Sequence, residues 1–154
     1  MFHGSVIALT VIGLVGSYHD LRFRRLPNWL SLTALILGLA AGWLMHGAAW
    51  WGMSLLHALA ALLAGMVLFR LGVIGGGDAK FYAGLAAWLP IRYGALMIGA
   101  TSVVGIVVLA GWLIWRRMAK SGAAMPAKHD DFSRLPYGVA IATGAVATYY
   151  FVLS

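Results

Sequence analysis

The stretch Leu26–Phe69, LPNWLSLTALILGLAAGWLMHGAAWWGMSLLHALAALLAGMVLF, contains no Lys, Arg, Asp or Glu. A spanning helix needs about 20 apolar residues to cross a hydrocarbon core about 30 Å thick. This run is too long for one such helix and long enough for two. The break falls in Met45-His46-Gly47-Ala48-Ala49-Trp50-Trp51, which leaves spans at Trp29–Met45 and Trp51–Phe69. The whole chain has the same character: of 154 residues, 62% are hydrophobic and 10% charged. A soluble domain is about half apolar and a quarter charged, so a chain of this composition could not cover itself with polar surface. The expected fold is all-α, a polytopic membrane helix bundle in one domain over residues 1–154.

Reading outward from that stretch, Phe2–Tyr18 is an uncharged apolar run followed by Arg22, Arg24 and Arg25. A cleaved signal peptide carries its positive charge before the apolar run, so this reads as a retained first helix. Beyond Phe69 lies a glycine-rich loop, Arg70–Lys80. Then come a short apolar segment, Phe81–Ile91, a clear span, Tyr93–Trp115, and a last one, Leu135–Leu153. The short segment is either a span or a re-entrant hairpin, and the positive-inside rule separates the two. With six spans and both termini outside, the cytoplasmic loops are 19–28, 70–80 and 116–134. They hold Arg22, Arg24, Arg25, Arg70, Lys80, Arg116, Arg117, Lys120, Lys128 and Arg134, leaving only Arg92 outside. A re-entrant segment would put the basic 116–134 loop on the wrong face, so six transmembrane helices are expected.

The aromatic residues fit this layout. Trp43, Trp50, Trp51, Trp88, Tyr149 and Tyr150 fall near the outer interface, and Trp29, Trp112 and Trp115 near the inner one, where amphipathic rings concentrate. Gly38/Gly42 and Ala61/Gly65 have the small-residue spacing that lets membrane helices approach closely. The polar loop from Arg116 to Arg134, with Gly122, Pro126 and the pair Asp130-Asp131, is expected to be mobile and its acids solvated. The chain has no Cys, which excludes disulfides, thiol nucleophiles and cysteine metal sites. Eleven Lys and Arg against four acids give a pI near 10.3. The bases sit between apolar runs rather than in one stripe, so topology explains them and nucleic acid is not expected as a partner.

Two acids stand close to the membrane, and acids there are costly. The topology puts both on one side: Asp20 at the end of helix 1 and Asp78 at the start of helix 4. Taken singly, each has a plain reading, Asp20 paired with Arg22 or Arg24, and Asp78 paired with Lys80 or serving as a helix N-cap. Taken together, and with Gly75-Gly76-Gly77 immediately before Asp78, they suggest a shared site. Residues without Cβ let a backbone approach another chain closely, although such a run also suits a plain flexible turn. Two carboxylates in contact cannot both ionise easily, so the pair shares a proton. The ionised member can then take a proton from water while the protonated member polarises a peptide carbonyl. That is aspartic-protease chemistry.

These residues resemble a known family. Asp20-Leu-Arg-Phe-Arg-Arg-Leu-Pro-Asn28 is similar to the first aspartate motif of the type IV prepilin peptidases. Gly75-Gly76-Gly77-Asp78, followed by Ala79-Lys80, resembles their Gly-x-Gly-Asp motif. Leu135-Pro136-Tyr137-Gly138-Val139-Ala140 resembles the segment that opens their last helix. The resemblance implies an aspartic endopeptidase of the bacterial inner membrane, multi-pass, that removes the leader of prepilin-like and pseudopilin substrates at the cytoplasmic face. The implied catalytic pair is Asp20 and Asp78. Longer members carry a cysteine-bearing cytoplasmic insert and also N-methylate the new terminus. This chain lacks the insert and any Cys, and so is similar to the short form of tight-adherence (Flp) pilus systems, without methyltransferase activity. Presenilin and signal-peptide-peptidase proteases share Gly-x-Gly-Asp, but they have Tyr-Asp where this chain has Tyr18-His19-Asp20, and Pro-Ala-Leu where it has Leu135-Pro136-Tyr137.

Further candidates surround the pair. Gly75, Gly76, Gly77, Lys80, Pro136, Tyr137 and Gly138 are substrate-binding candidates; Lys80 suits a substrate carboxylate or the tuning of Asp78, beside its plain reading as a positive-inside residue. Pro27-Asn28 starts helix 2, with Asn28 as a cap, and Pro136 suits the first turn of the last helix. His19 adjoins Asp20 without an assigned catalytic role, and His3, His46 and His57 fall far from that face, so no metal and no cofactor are expected. Membrane lipid is an expected partner, with a homo-oligomer left open. The rival classes are a small proton-coupled transporter or channel, which would place acids near the midplane, and a non-catalytic pilus-assembly scaffold, which would tolerate loss of either aspartate.

Overall fold

The computed structural model describes residues 2–119 and 137–154. The loop acids Asp130 and Asp131, Lys120, Gly122, Pro126, Lys128 and Arg134, and the motif residues Leu135 and Pro136, lie outside the described residues. The described residues form six α-helices: α1 (Phe2–Phe23), α2 (Asn28–His46), α3 (Ala48–Arg70), α4 (Gly76–Ala86), α5 (Gly94–Ala119) and α6 (Tyr137–Leu153). No strand occurs among the described residues. This is an all-helical membrane bundle, as the composition requires.

Successive helices reverse direction. Gly65 of α3 packs on Ala79 and His57 reaches Leu89, so α3 and α4 run antiparallel. Gly84 of α4 packs on Ser31 and Trp88 on Gly38, so α2 and α4 run parallel. Gly13 of α1 lies against Ala142 and Asp20 against Gly138, while Thr101 and Gly105 of α5 lie against Gly144 and Ala140, which sets α1 and α5 antiparallel to α6. The turn expected over Met45–Trp51 contracts to one residue: Gly47, at φ 81°, joins α2 to α3. A left-handed φ of this kind favours glycine because no Cβ opposes it.

Among the described residues, four segments are long and apolar enough to cross a membrane: His3–Phe23, Asn28–His46, Ala48–Arg70 and Ile91–Ile114. Helix α6, with 17 residues, lies at the short limit. The fourth expected span differs most. Instead of Phe81–Ile91, the helix runs from Gly76 to Ala86, about 16 Å at 1.5 Å per residue. It continues through a non-helical stretch to a single 3-10 turn at Ile91–Tyr93. Such a piece would be untenable facing lipid, where loose backbone groups find no partners. Here α2, α3 and α6 enclose it: Phe81, Leu85, Ala86, Ala87 and Leu89 are fully buried. Cross-helix hydrogen bonds serve its end. The Trp88 indole N–H donates to the Ala34 carbonyl at 2.9 Å, and His57 Nδ1 donates to the Leu89 carbonyl at 2.9 Å.

Burial corrects two aromatic assignments. Trp88 and Tyr149, expected at the outer interface, are each 2% exposed and pack edge to face, 5.7 Å apart, in the core. Of the other residues expected there, Trp43 and Trp51 pack edge to face, and Arg92 lies 5.7 Å above the Trp50 ring. The outward faces of α2, α3 and α5 carry exposed Leu, Ile and Val, suited to lipid. The small-residue expectation for α3 holds: a Cβ on Gly65 would stand 2.8 Å from that of Ala79. Gly38 makes room for the Trp88 ring rather than for a backbone, its ideal Cβ lying 2.6 Å from the indole Cδ1.

Candidate active site

Asp20 lies one turn from the end of α1, inside the helix rather than in the loop expected at 19–28. Arg24 ends that helix in the left-handed region, at φ 52°, with its N–H bonded to the Asp20 carbonyl at 3.0 Å. A non-glycine residue in this cap conformation is uncommon; the sequence reading did not single it out, and only the helix-end geometry reveals it. The Asp20 side chain is 6% exposed, and its Oδ2 accepts the Gly138 N–H at 2.7 Å. That N–H belongs to the first turn of α6, where backbone donors have no partner within the helix and the dipole favours negative charge. Gly138 is also a spatial requirement: an ideal Cβ there would lie 2.9 Å from Asp20 Oδ2.

Asp78 occupies the third residue of α4, whose N-cap is Gly75. It is therefore not the N-cap, as the sequence allowed; from the first turn it accepts the N–H of Gly75 by reaching back. A Cβ on Gly75 would stand 2.6 Å from Asp78 Oδ2. Asp78 precedes the apolar stretch that opens at Phe81. Burial pushes its carboxyl up from the ordinary 3.8 to about 6, the negative charge of Asp20 pushes in the same direction, and the Gly75 N–H partly opposes both. The two acids thus share one end of the bundle, and the charge of Asp20 reaches Asp78.

The remaining candidates divide. Gly76 and Gly77 approach Phe69 and Leu26, each at 3.4 Å from an ideal Cβ, and so seat the start of α4 on α3 and on the α1–α2 connection. Lys80 is engaged elsewhere: its Nζ donates to Asn28 Oδ1 at 3.1 Å on the exposed surface. Asn28 is consequently not the cap of α2; that position is Pro27, with no side-chain cap bond. Tyr137 opens α6, is half-exposed and faces the cleft that Asp78 lines. His19 belongs to an aromatic group with Tyr18, Phe23 and Trp29. His46 stacks on Trp50 at 4.1 Å, at the other end of the bundle. Among the described residues no group of three His, Cys, Asp or Glu could hold a metal.

The model of the type IV leader peptidase family matches residues 7–110. The chain belongs to the type IV leader peptidase family. Asp20 and Asp78 both fall within the matched residues, and Gly138 lies beyond them. No curated protein and no solved structure matches the chain. Family membership makes the chain a prepilin-type leader peptidase, acting on prepilins, and the apolar helices make it a multi-pass membrane protein.

A cleft of about 590 Å³ adjoins Asp78. Asp78, Ala79 and Tyr82 of α4 form its floor, α3 and α5 its walls, and Tyr137 and Ile141 of α6 one side. His57, Tyr82 and Thr101 line it. The sequence reading set His57 aside and did not raise the other two, because a lone polar residue in an apolar helix has no signal of its own until the helices are placed.

Proposed function

We propose that this leader peptidase is an aspartic endopeptidase whose catalytic pair is Asp20 and Asp78. The observation that carries the reading is the placement of Asp20, held by the Gly138 N–H at 2.7 Å, close enough to Asp78 for its charge to raise the proton affinity of that buried carboxyl. In a pair sharing one proton, the member whose anion is better stabilised remains ionised; each carboxylate accepts one backbone N–H, and Arg24 also favours the anion of Asp20. Asp20, facing the N-terminal end of α6, takes that part as the base, and Asp78 keeps the proton.

In the reaction, Asp20 removes a proton from water as its oxygen bonds to the scissile carbonyl carbon, and Asp78 gives its proton to the carbonyl oxygen. The neutral tetrahedral diol then collapses: the C–N bond breaks, the proton on Asp20 passes to the leaving amine, and a diol hydroxyl returns a proton to Asp78. No covalent enzyme intermediate is formed, and no metal or cofactor is called on. The substrates are the leaders of prepilin-like and pseudopilin proteins. The basic loops around Arg22, Arg24, Arg25 and Lys80 support a cytoplasmic location for this end of the bundle under the positive-inside rule. The lack of Cys supports the short, tight-adherence (Flp) form in a bacterial inner membrane, without methyltransferase activity. Incubating the purified enzyme with a full-length prepilin from the same genome tests the proposal. Wild type is expected to release the leader and leave an unmethylated terminus by product mass, and Asp20→Asn or Asp78→Asn to leave the prepilin intact. Full turnover by either variant would overturn the pair.

A further inference from the structure

Among the described residues the backbone turns left-handed at three positions: Gly47 at φ 81°, Gly72 at φ 72° and Arg24 at φ 52°. Two of the three are glycines, which enter this region at no steric cost. Arg24 lacks that freedom, because its Cβ crowds the following carbonyl oxygen. Such strain persists where the site depends on the residue that bears it. The turn itself needs only backbone. Its closing bond, from the Arg24 N–H to the Asp20 carbonyl at 3.0 Å, is one that glycine makes equally well. A need for cytoplasmic charge does not explain the arginine either, since Arg22 and Arg25 on the two sides supply it. What remains is the effect of this one side chain on its surroundings.

That effect falls on Asp20. Burial works against a charge on its carboxylate, whereas the Gly138 N–H and then the Arg24 guanidinium favour it. Asp78 is buried as well and accepts the Gly75 N–H, but the charge that acts on it is the negative one of Asp20. The two carboxylates are therefore matched in backbone donors and differ in the cation. Of the helices packed on α1, α4 brings Asp78 to this end together with Lys80, which is bonded to Asn28. Helix α6 brings Tyr137, and α2 has its one titratable residue, His46, at the opposite end. We propose that Arg24 is a positioning residue for the hydrolysis, held in a strained turn so that Asp20, rather than Asp78, is the ionised member of the pair. The inference rests on the peptidase reading. It adds that loss of this side chain separates stability from activity: the backbone relaxes, while the pair loses the charge that tells its two members apart.

Three variants test this: Arg24→Gly, Arg24→Lys and Arg25→Gln. Each is compared with wild type in the same lipid by thermal unfolding and by cleavage of one prepilin. Cleavage is measured at about pH 5 and about pH 7.5, on either side of the value near 6 at Asp78. Arg24→Gly should melt no lower than wild type, because glycine relieves the turn. Its ratio of kcat at the lower pH to kcat at the higher should fall about threefold or more, with KM little changed. The base has lost the charge that keeps it ionised as pH falls. This ratio is internal to one enzyme, so it does not depend on how much of a variant folds. Arg24→Lys keeps the charge and should keep the ratio within about twofold of wild type. Arg25→Gln removes a charge from the same loop and should leave it unchanged. A wild-type ratio in Arg24→Gly, an equal fall in Arg25→Gln, or no rescue by lysine would overturn the proposal. So would an Arg24→Gly protein that melts lower, since Arg24 would then serve the helix end. If wild type failed to cut a prepilin that a second leader peptidase cuts, the peptidase reading itself would fall, and this inference with it.

Discussion

The contact between Gly138 and Asp20 turns a single methyl group into a test of the site. In Gly138→Ala the new Cβ would lie 2.9 Å from Asp20 Oδ2, 3.0 Å from its Cβ and 3.1 Å from its Cγ. Comfortable contacts between such atoms begin at about 3.5 Å. The carboxylate or the start of α6 must therefore retreat by roughly 0.5 Å or more. The 2.7 Å hydrogen bond then stretches toward the limit of such bonds. A hydrogen bond to a charged acceptor contributes about 1.5–3 kcal/mol, and a 1 Å displacement of a catalytic group costs about a hundredfold. Both point to a fall in kcat of about 10- to 100-fold with KM little changed, because the methyl moves a reacting group rather than a binding surface. The assay is leader release followed by gel shift over a range of prepilin concentrations. Gly105→Ala is the control, its Cβ meeting nothing closer than the Ala140 Cβ at 3.8 Å. Turnover by folded Gly138→Ala within twofold of wild type would refute the claim that this backbone N–H positions Asp20.

Three more outcomes follow from the same geometry. The Asp78 carboxyl binds its proton more tightly folded, near 6, than unfolded, near 3.8, so its contribution to stability is full below about 4 and is lost as pH rises through 6. Asp78→Asn should remove that dependence and raise stability near neutral pH by at most about 3 kcal/mol, read as a higher melting temperature in detergent; an unchanged or lower one at pH 7 would contradict it. Gly38→Ala places a Cβ 2.6 Å from the Trp88 ring and 3.0 Å from the Ala87 carbonyl carbon, and should destabilise the bundle by about 1–3 kcal/mol, measured by thermal unfolding. Lys80→Met breaks only an exposed bond to Asn28 and should lower activity less than about fivefold; a loss as large as that of an aspartate variant would give Lys80 a direct part in the chemistry.

That Asp20 and Asp78 lie at the same end of the bundle was legible because two facts reinforce each other. Acids are too costly in apolar helices to occur there idly, and the charge of the flanking loops puts both on one side. Helix α4 was less legible, since hydropathy distinguishes lipid from water but not lipid from protein interior. That is why Trp88 and Tyr149 read as interface anchors although both are core residues, and why a short helix read as a short span. The glycines hid their work differently. Gly75 and Gly138 look like permissive backbone, but each is small because an aspartate oxygen occupies the space its Cβ would take. Tyr82 and Thr101 left no pattern at all, because what singles them out is the absence of a hydrogen-bond partner among the described residues, which only the packed helices define.

The most direct test of the paired-aspartate mechanism is the rate of leader cleavage by wild type, Asp20→Asn, Asp78→Asn and the double variant, each reconstituted in the same lipid with the same prepilin. Residues that act as one unit are not additive. The expected result is a loss of about a thousandfold or more in each single variant, with the double variant no slower than either. A single variant that keeps wild-type turnover, or two losses that multiply in the double variant, would contradict a shared proton between Asp20 and Asp78.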